Sequence, residues 1–389
     1  MADLPAAVLD TLATVAIELP SWAFGNSGTR FRVWPSAGTP RTVHEKIADA
    51  AQVHAYTGAA PSVALHIPWD KVDDYAALRG FAEDLGVRLG TVNSNTFQDE
   101  AYKFGSLTSS DAGARRKAVE HHLECIEIMH ATGSRDLKIW LADGANYPGQ
   151  NDLRRRQDNL ATSLAEIYAA LGAGQRLVLE YKFFEPAFYS TDVPDWGTAY
   201  AHVTALGERA VVCLDTGHHA PGTNIEQIVA TLLRLGRLGS FDFNSRFYAD
   251  DDLIVGAADP YQLYRIMVEV VRGGGLDPAS GVALMLDQCH NIEAKIPGQI
   301  RSVLNVLETT AKALLLDRAA LEAAQDTNDV LAANEVFMDA FWTDVRPALA
   351  AWRVERGLPA DPQKAFRESG YLEKIAADRV GGTQAGWGA

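Results

Sequence analysis

The chain has 389 residues, enough to bury a large core, with 47% hydrophobic residues and a formal net charge of −15. That charge argues against partnership with a phosphate backbone or an anionic membrane surface, so no nucleic acid and no membrane are expected as partners, and no apolar run approaches the ~20 residues needed to cross a bilayer. No basic stretch followed by a compact apolar block opens the sequence, which predicts a cytoplasmic protein without a signal peptide, and Cys125, Cys213 and Cys289 lack paired spacing, which predicts buried free thiols.

Residues 4–15, rich in Ala and Leu, predict a helix, and Val15 to Pro20 reads as the first strand. The loop that follows, residues 21–31, is rich in Gly, Ser and Asn yet carries Trp22, Phe24 and Phe31, the make-up of a loop with contacts to make in a site or a subunit interface. From residue 42 strands and helices alternate. A helix from Thr42 to Tyr56 leads to the strand Ser62 to Asp70, with His66 and Trp69 near its end, then to a helix from Asp73 to Leu85 punctuated by Gly86. Strand three runs from Arg88 to Asn95, with a long helix from about Ser110 to Thr132 after it; strand four runs from Asp136 to Asp143 through Trp140, with a helix from Asn151 to about Leu171.

The remaining strands share a pattern. Arg176 to Leu179 stops at Glu180, Ala210 to Leu214 at Asp215, Leu238 to Phe241 at Asp242, and Val282 to Leu286 at Asp287. Each is a short apolar run that ends abruptly in a carboxylate, as a buried parallel strand does when it delivers a side chain at its C-terminal end. Helices over 195–206, 224–235, 260–271 and 299–318 complete the alternation. Eight strand–helix repeats predict an α/β protein, a (β/α)8 TIM barrel over residues 1–318. Residues 319–389 form a C-terminal helical extension: a helical stretch Ala319 to Arg356 with Pro347 as an internal break, a second from Asp361 to Val380, and a mobile Gly-rich tail. Its apolar face needs cover, from this barrel or a neighbouring subunit.

A barrel brings all strand ends to one mouth, so the carboxylates converge there. Taken singly, each acidic residue reads as a loop-start residue or helix cap. Together they repel one another unless a cation sits among them. Glu180, Asp215, Asp242 and Asp287 make one cage of hard oxygens, suited to Mg2+ or Mn2+; His218, Asp250 and Asp252 with a shared Asp215 make most of a second, and the imidazole suits Mn2+ or Co2+. Two divalent metal ions are therefore expected, Mn2+ first and Mg2+ or Co2+ as alternatives, able to hold two oxygens of one substrate. Lys182, two residues after Glu180, projects to the same side of its strand and suits a developing alkoxide or enolate; its alternative role is a salt bridge to a carboxylate. His66 is placed to move the proton that opens a sugar ring. Trp69 and Trp140 offer faces to the C–H groups of a sugar, and Asp252 completes the candidate catalytic set with Lys182 and His66. His219, His290, Asp143 and Asp251, beside these residues, are expected to support them or face solvent.

With these residues in place, the sequence resembles the L-rhamnose isomerase family, within the wider group of xylose-isomerase-like barrels. The resemblance lies in residues 21–31, Leu65 to Asp70, Leu179 to Tyr189, Asp215 to His219, Asp250 to Leu253 and Asp287 to Asn291, in order from the first strand to the last. It implies an aldose–ketose isomerase that converts L-rhamnose to L-rhamnulose at a two-metal site, commonly as a homotetramer. It implies Glu180, Asp215, Asp242 and Asp287 around the first metal, and Asp215, His218, Asp250 and Asp252 around the second. It places Lys182 near the substrate's first oxygen, His66 near the ring oxygen, Trp69 and Trp140 against the sugar, and Phe31 on a loop that can reach a neighbouring subunit's site. The family tends to carry histidine where this chain has Asp242, which predicts an all-carboxylate first cage and a harder cation. The alternatives are an isomerase of another aldose, a single-metal ketose 3-epimerase, metal-assisted phosphodiester hydrolysis, which the net charge disfavours, and a non-catalytic metal or sugar binder.

Overall fold

The computed structural model describes residues 4–26, 34–185, 189–248, 250–290 and 292–379. Its centre is a closed barrel of parallel strands, β1 Ile17–Pro20, β2 Ser62–Ile67, β3 Arg88–Ser94, β4 Asp136–Ile139, β5 Arg176–Glu180, β6 Ala210–Asp215, β7 Leu238–Phe243 and β8 Ala283–Leu286, each paired with its neighbours in chain order. The last strand returns to the first with Ile17 opposite Leu284 and Glu18 opposite Met285. Helices α1 Ala6–Thr14, α2 Val43–Thr57, α3 Tyr75–Asp84, α4 Ala112–Thr132, α5 Leu153–Ala170, α6 Trp196–Leu206, α7 Ile225–Arg234, α8 Pro260–Arg272 and α9 Lys295–Leu315 surround it. The eightfold alternation read from the sequence is therefore a TIM barrel.

Strand periodicity decides what each side chain does. Ile17, Leu19, Val63, Leu65, Ile67, Leu177, Leu179, Val212, Leu214, Phe241 and Phe243 join the helices in one core. Their alternating partners point into the barrel, where alternate strands fill successive layers. Lys138, Cys213 and Met285 come from β4, β6 and β8, with Lys138 Nζ 3.4 Å from Met285 Sδ. Two residues further on stand Trp140, Asp215 and Asp287, aimed at the mouth by the same alternation. At the opposite end, Glu18 accepts from Ser62 Oγ at 2.6 Å and Thr91 N at 3.1 Å. Gly90 is required beside it, because a Cβ there would lie 1.6 Å from Glu18 Oε2.

Helix ends follow ordinary capping chemistry. Thr42, Asp74, Asp111, Asp152, Asp195, Asn224 and Asp259 each accept a backbone N–H from the first turn of the helix they precede. Several boundaries differ from the expectation. Strand β2 stops at Ile67, so Trp69 and Asp70 lie in the turn after it. Strand β4 leaves the ladder after Ile139, so Trp140 to Asp143 belong to a loop. Helix α9 begins at Lys295 rather than Gln299, since Pro297 sits in its first turn, where no intrahelical N–H is required of it.

The extension consists of α10 Arg318–Asp326, α11 Val330–Trp342, α12 Arg346–Glu355, α13 Pro362–Arg367 and α14 Tyr371–Asp378. Pro347 does not break a helix from inside; it stands in the first turn of α12. The breaks fall where the backbone turns left-handed, at Asn328 with φ 56° and Gly370 with φ 73°, and at the extended Thr343. The extension packs on its own barrel. Phe337 lies 4.9 Å from the Tyr264 ring of α8, and Phe366 lies 5.4 Å from Tyr56 of α2. Arg379 donates to both oxygens of Asp49 at 2.8 and 2.9 Å, and Tyr371 Oη donates to Asp49 Oδ1 at 2.8 Å. Asp49 and Arg379 are only 2% and 6% exposed at the side chain. Among the described residues no helix is long and apolar enough to cross a membrane. The Gly-rich tail expected over residues 381–389 lies outside the described residues.

Asp49→Ala would leave the Arg379 guanidinium buried without its counter-charge. The expected result is a loss of about 3 kcal/mol in urea unfolding, with faster proteolysis of the segment after α13. Unchanged unfolding and proteolysis would show that this ion pair does not tie the extension down.

Candidate functional site

The mouth of the barrel opens into a pocket lined by Trp22, His66, Trp69, Phe97, Lys138, Trp140, Glu180, Lys182, His218, Asp242, Asp250, Asp252 and Asp287, with Asn93 and Ser94. It has an acidic side and an aromatic side, and different strands build each.

The acidic side comes from β5 to β8 and the loops after them. Ligand atoms of Glu180, Asp215 and His218 lie within 4.8 Å of one another, as do those of Asp215, Asp242 and Asp287, and those of Glu180, Cys213 and Asp242. Asp215 is held by Gly217 N at 2.5 Å and by Asn244 Nδ2 at 3.0 Å; Asp287 accepts from Trp22 Nε1 at 2.8 Å. His218 donates from Nδ1 to the Tyr181 carbonyl at 3.0 Å, which turns Nε2 toward Asp250 Oδ2 at 3.4 Å and Asp215 Oδ2 at 3.9 Å. Asp252 takes a left-handed backbone, φ 49°, and its carbonyl accepts from Cys289 N and His290 N, both at 3.1 Å, so the loop after β7 is locked to the one after β8.

Electrostatics describe a site crowded with like charge. Burial and the neighbouring Asp242, Asp215 and Glu180 hold the Asp287 carboxyl well above the usual range; burial with Asp250 and Asp287 does the same to Asp252. Burial raises Asp215 to about 6, although His218 opposes the shift. Burial alone would lower His218, but Asp215 and Asp250 outweigh it and keep the imidazole protonated well above its ordinary range. Burial would likewise raise Asp250, and Lys182 and His218 hold it well below instead. Asp250 Oδ1 is buried without a hydrogen-bond partner among the described residues. Buried carboxylates within ligand distance, a fixed imidazole and an orphaned acceptor are a donor set that fits a divalent cation.

The aromatic side comes from β1 to β4 and the loops after them. His66 stacks on Trp69 at 3.8 Å and 18°, with the edge of Trp22 at 5.3 Å. Phe97 stands edge-on to Trp140 at 4.8 Å, and Lys182 Nζ sits 5.2 Å from the Trp140 ring. Trp69 Nε1 donates to Gln98 Oε1 at 2.7 Å. Behind His66, Asp70 accepts from the His66 backbone at 2.8 Å and Lys46 Nζ at 2.6 Å, and also from Ser21 Oγ. Burial and the Lys46 charge keep His66 well below the ordinary histidine range, hence neutral, and its Nδ1 is buried without a partner among the described residues.

Most sequence candidates therefore face one pocket; Asp215 sits beneath its lining, and Phe31 lies outside the described residues. Lys182 pairs with Asp250 at 2.7 Å, the carboxylate partnership that its spacing also allowed. Asp242 is not one member of a purely acidic cage: the buried ammonium of Lys138, missed in the sequence, is hydrogen-bonded to its Oδ1. Alternation back from Trp140 was the signal that could have found Lys138, a charged residue inside a short buried strand. Asp143, Asp251 and His219 serve nearby loops. Asp143 accepts from the backbone and hydroxyls of Ser106 and Thr108 at 2.7 to 3.0 Å, Asp251 from Phe247 N and Tyr248 N at 2.5 and 3.0 Å, and His219 Nε2 lies 2.7 Å from Tyr181 Oη.

No family model matches the chain. A probable sugar isomerase of Rhizobium meliloti is 44% identical over 383 residues, covering 96% of this chain and 88% of its own. A probable sugar isomerase of Mesorhizobium japonicum is 46% identical over 374 residues, covering 94% and 86%. Among solved structures, an L-ribulose 3-epimerase superposes with a TM-score of 0.55 at 16% identity, over 78% of this chain and 98% of its own, a likeness of fold.

Because a divalent cation must displace protons from the raised carboxyls, its affinity is expected to rise with pH through about 6, the value held by Asp215. Calorimetric titration of metal-free protein with Mn2+, in two buffers of different ionisation enthalpy, should show net proton release that shrinks at higher pH. Proton-neutral binding over the whole range would mean that the ion sits elsewhere.

Proposed function

The chain belongs to the family of these probable sugar isomerases, and from that premise we propose that it is a divalent-metal-dependent aldose–ketose isomerase acting on L-rhamnose, which it converts to L-rhamnulose. The observation that carries this reading is the two-sided pocket: strand-end carboxylates converge opposite an indole wall that includes a neutral imidazole whose Nδ1 has no partner among the described residues.

One ion would be held by Glu180, Asp215, Asp242 and Asp287, and a second by Asp215, His218, Asp250 and Asp252. The chemistry a bound pair supplies is to hold adjacent sugar oxygens and stabilise negative charge between them while hydrogen passes between C1 and C2. The protein's own groups do the rest. Trp69, Trp140 and Phe97 pack against the sugar's C–H faces and keep water from the reacting carbons. His66, kept neutral by burial and Lys46, takes the proton of the anomeric hydroxyl at Nδ1 and delivers it to the ring oxygen as the bond between that oxygen and C1 breaks and the hemiacetal opens to the aldehyde. Lys182, held in place by Asp250, aims its ammonium at the oxygen of the first carbon and stabilises it as charge develops. Asp252, whose carboxyl is raised by burial and by Asp250 and Asp287, can carry a proton near the second carbon.

A second reading draws on the ion pair of Lys182 with Asp250, which engages one oxygen and the charge of a carboxylate that the second ion would need. With one ion alone, the same pocket suits epimerisation of a ketose at C3.

Chelated protein given Mn2+, Mg2+ or Co2+ singly should regain conversion of L-rhamnose to its ketose, faster than conversion of other aldoses. Lys182→Met should lower kcat by roughly 10²-fold with metal binding kept. Restored turnover of a different aldose would keep the chemistry and discard the substrate; C3 epimerisation without isomerisation would favour the second reading.

A further inference from the structure

Lys138 is a charged residue in an apolar layer. Its neighbours at that level of the barrel, Cys213 and Met285, fill space without charge, and a methionine would fill Lys138's place without desolvating an ammonium. Its side chain is 2% exposed, and the carboxylate it bonds, Asp242, is 3% exposed. Asp242 belongs to two groupings of potential ligand atoms, with Asp215 and Asp287 and with Glu180 and Cys213. The only other ammonium lining the pocket among the described residues, that of Lys182, is tied to Asp250 on the other flank. The ammonium of Lys138 thus serves the first cage alone.

A fixed positive charge on one of four converging carboxylates has two consequences. It occupies Asp242 Oδ1, leaving one oxygen of that group for an ion. It also removes one unit of negative charge from the cage, and at a few ångströms in a poorly screened interior one unit changes a divalent ion's affinity by more than any single hydrogen bond does. We propose that Lys138 is a positioning residue of the cation site: it makes Asp242 a one-oxygen, charge-compensated ligand and so sets the site's affinity for divalent ions below that of an uncompensated carboxylate cage. This rests on the metal-dependent reading of the same site and specifies how this chain tunes it.

The sign of the effect separates this role from a structural one. If Lys138 only braced Asp242, its loss would loosen a ligand and weaken metal binding. If it sets the charge, its loss strengthens binding. Calorimetric Kd values for Mn2+ on metal-free wild type, K138M, D242N and the K138M/D242N double variant read this directly. K138M should bind at least about tenfold more tightly than wild type and D242N at least about tenfold more weakly. The double variant, which has no buried charge to strand and the same net cage charge as wild type, should return to within about threefold of it. Equal or weaker binding by K138M overturns the proposal. Should K138M fail to fold, the double variant decides: affinity as low as that of D242N overturns it. A wild-type protein that binds no Mn2+ removes the metal-dependent reading itself, an outcome distinct from any difference among the variants.

Discussion

The mutual repulsion of carboxylates at one end of a barrel governs this structure. Glu180, Asp215 and Asp242 stand on three successive strands and Asp287 just past the end of the fourth, and Asp250 and Asp252 are added from the loop after β7. Burial strips them of water, so each raises the cost of ionising the next. The chain answers with a limited supply of positive charge: Lys138 on Asp242, Lys182 on Asp250, and the His218 imidazole among Glu180, Asp215 and Asp250. Three cationic groups set against six carboxylates leave an acidic excess, and divalent ions would complete it.

The rest of the molecule keeps that arrangement rigid. Charges outside the cluster act as anchors: Asp70 fixes the turn behind His66, Asp143 ties down residues 106–108, and Asp251 gathers the N–H groups of the loop at Phe247 and Tyr248. The far end of the barrel is closed by Glu18 with Ser62 and by Asp136 with Arg135 and Arg176. Both carboxylate oxygens of Asp70, Asp143, Glu18 and Asp136 accept from donors. Asp250 keeps an oxygen without a partner among the described residues, the difference between a structural carboxylate and one available to a ligand.

The barrel was legible because its signal is repeated: apolar runs of strand length alternate with capped amphipathic helices, and errors at single boundaries do not disturb the count. The acidic side was legible for a related reason, since a strand end fixes where its side chain points before any tertiary contact is known. What escaped were pairings across the barrel. That Lys138 on β4 reaches Asp242 on β7, or that Trp22 on the first loop donates to Asp287 after β8, follows from barrel closure and layer height, neither of which lies in local sequence. The breaks in the extension were misplaced at Pro347 because proline reads the same at a helix start as in a helix interior; Asn328 and Gly370, which do the turning, carry a weaker signal.

Divalent ions between Glu180, Asp215, Asp242 and Asp287 and beside His218 would resolve the repulsion. Anomalous diffraction at the manganese edge, from crystals of the protein grown with Mn2+, tests for them most directly. The account predicts one peak within bonding distance of the four strand-end carboxylates and a second between His218 Nε2 and the Asp250–Asp252 loop. Peaks confined to surface carboxylates, with this cluster empty and its carboxyls protonated, would contradict it.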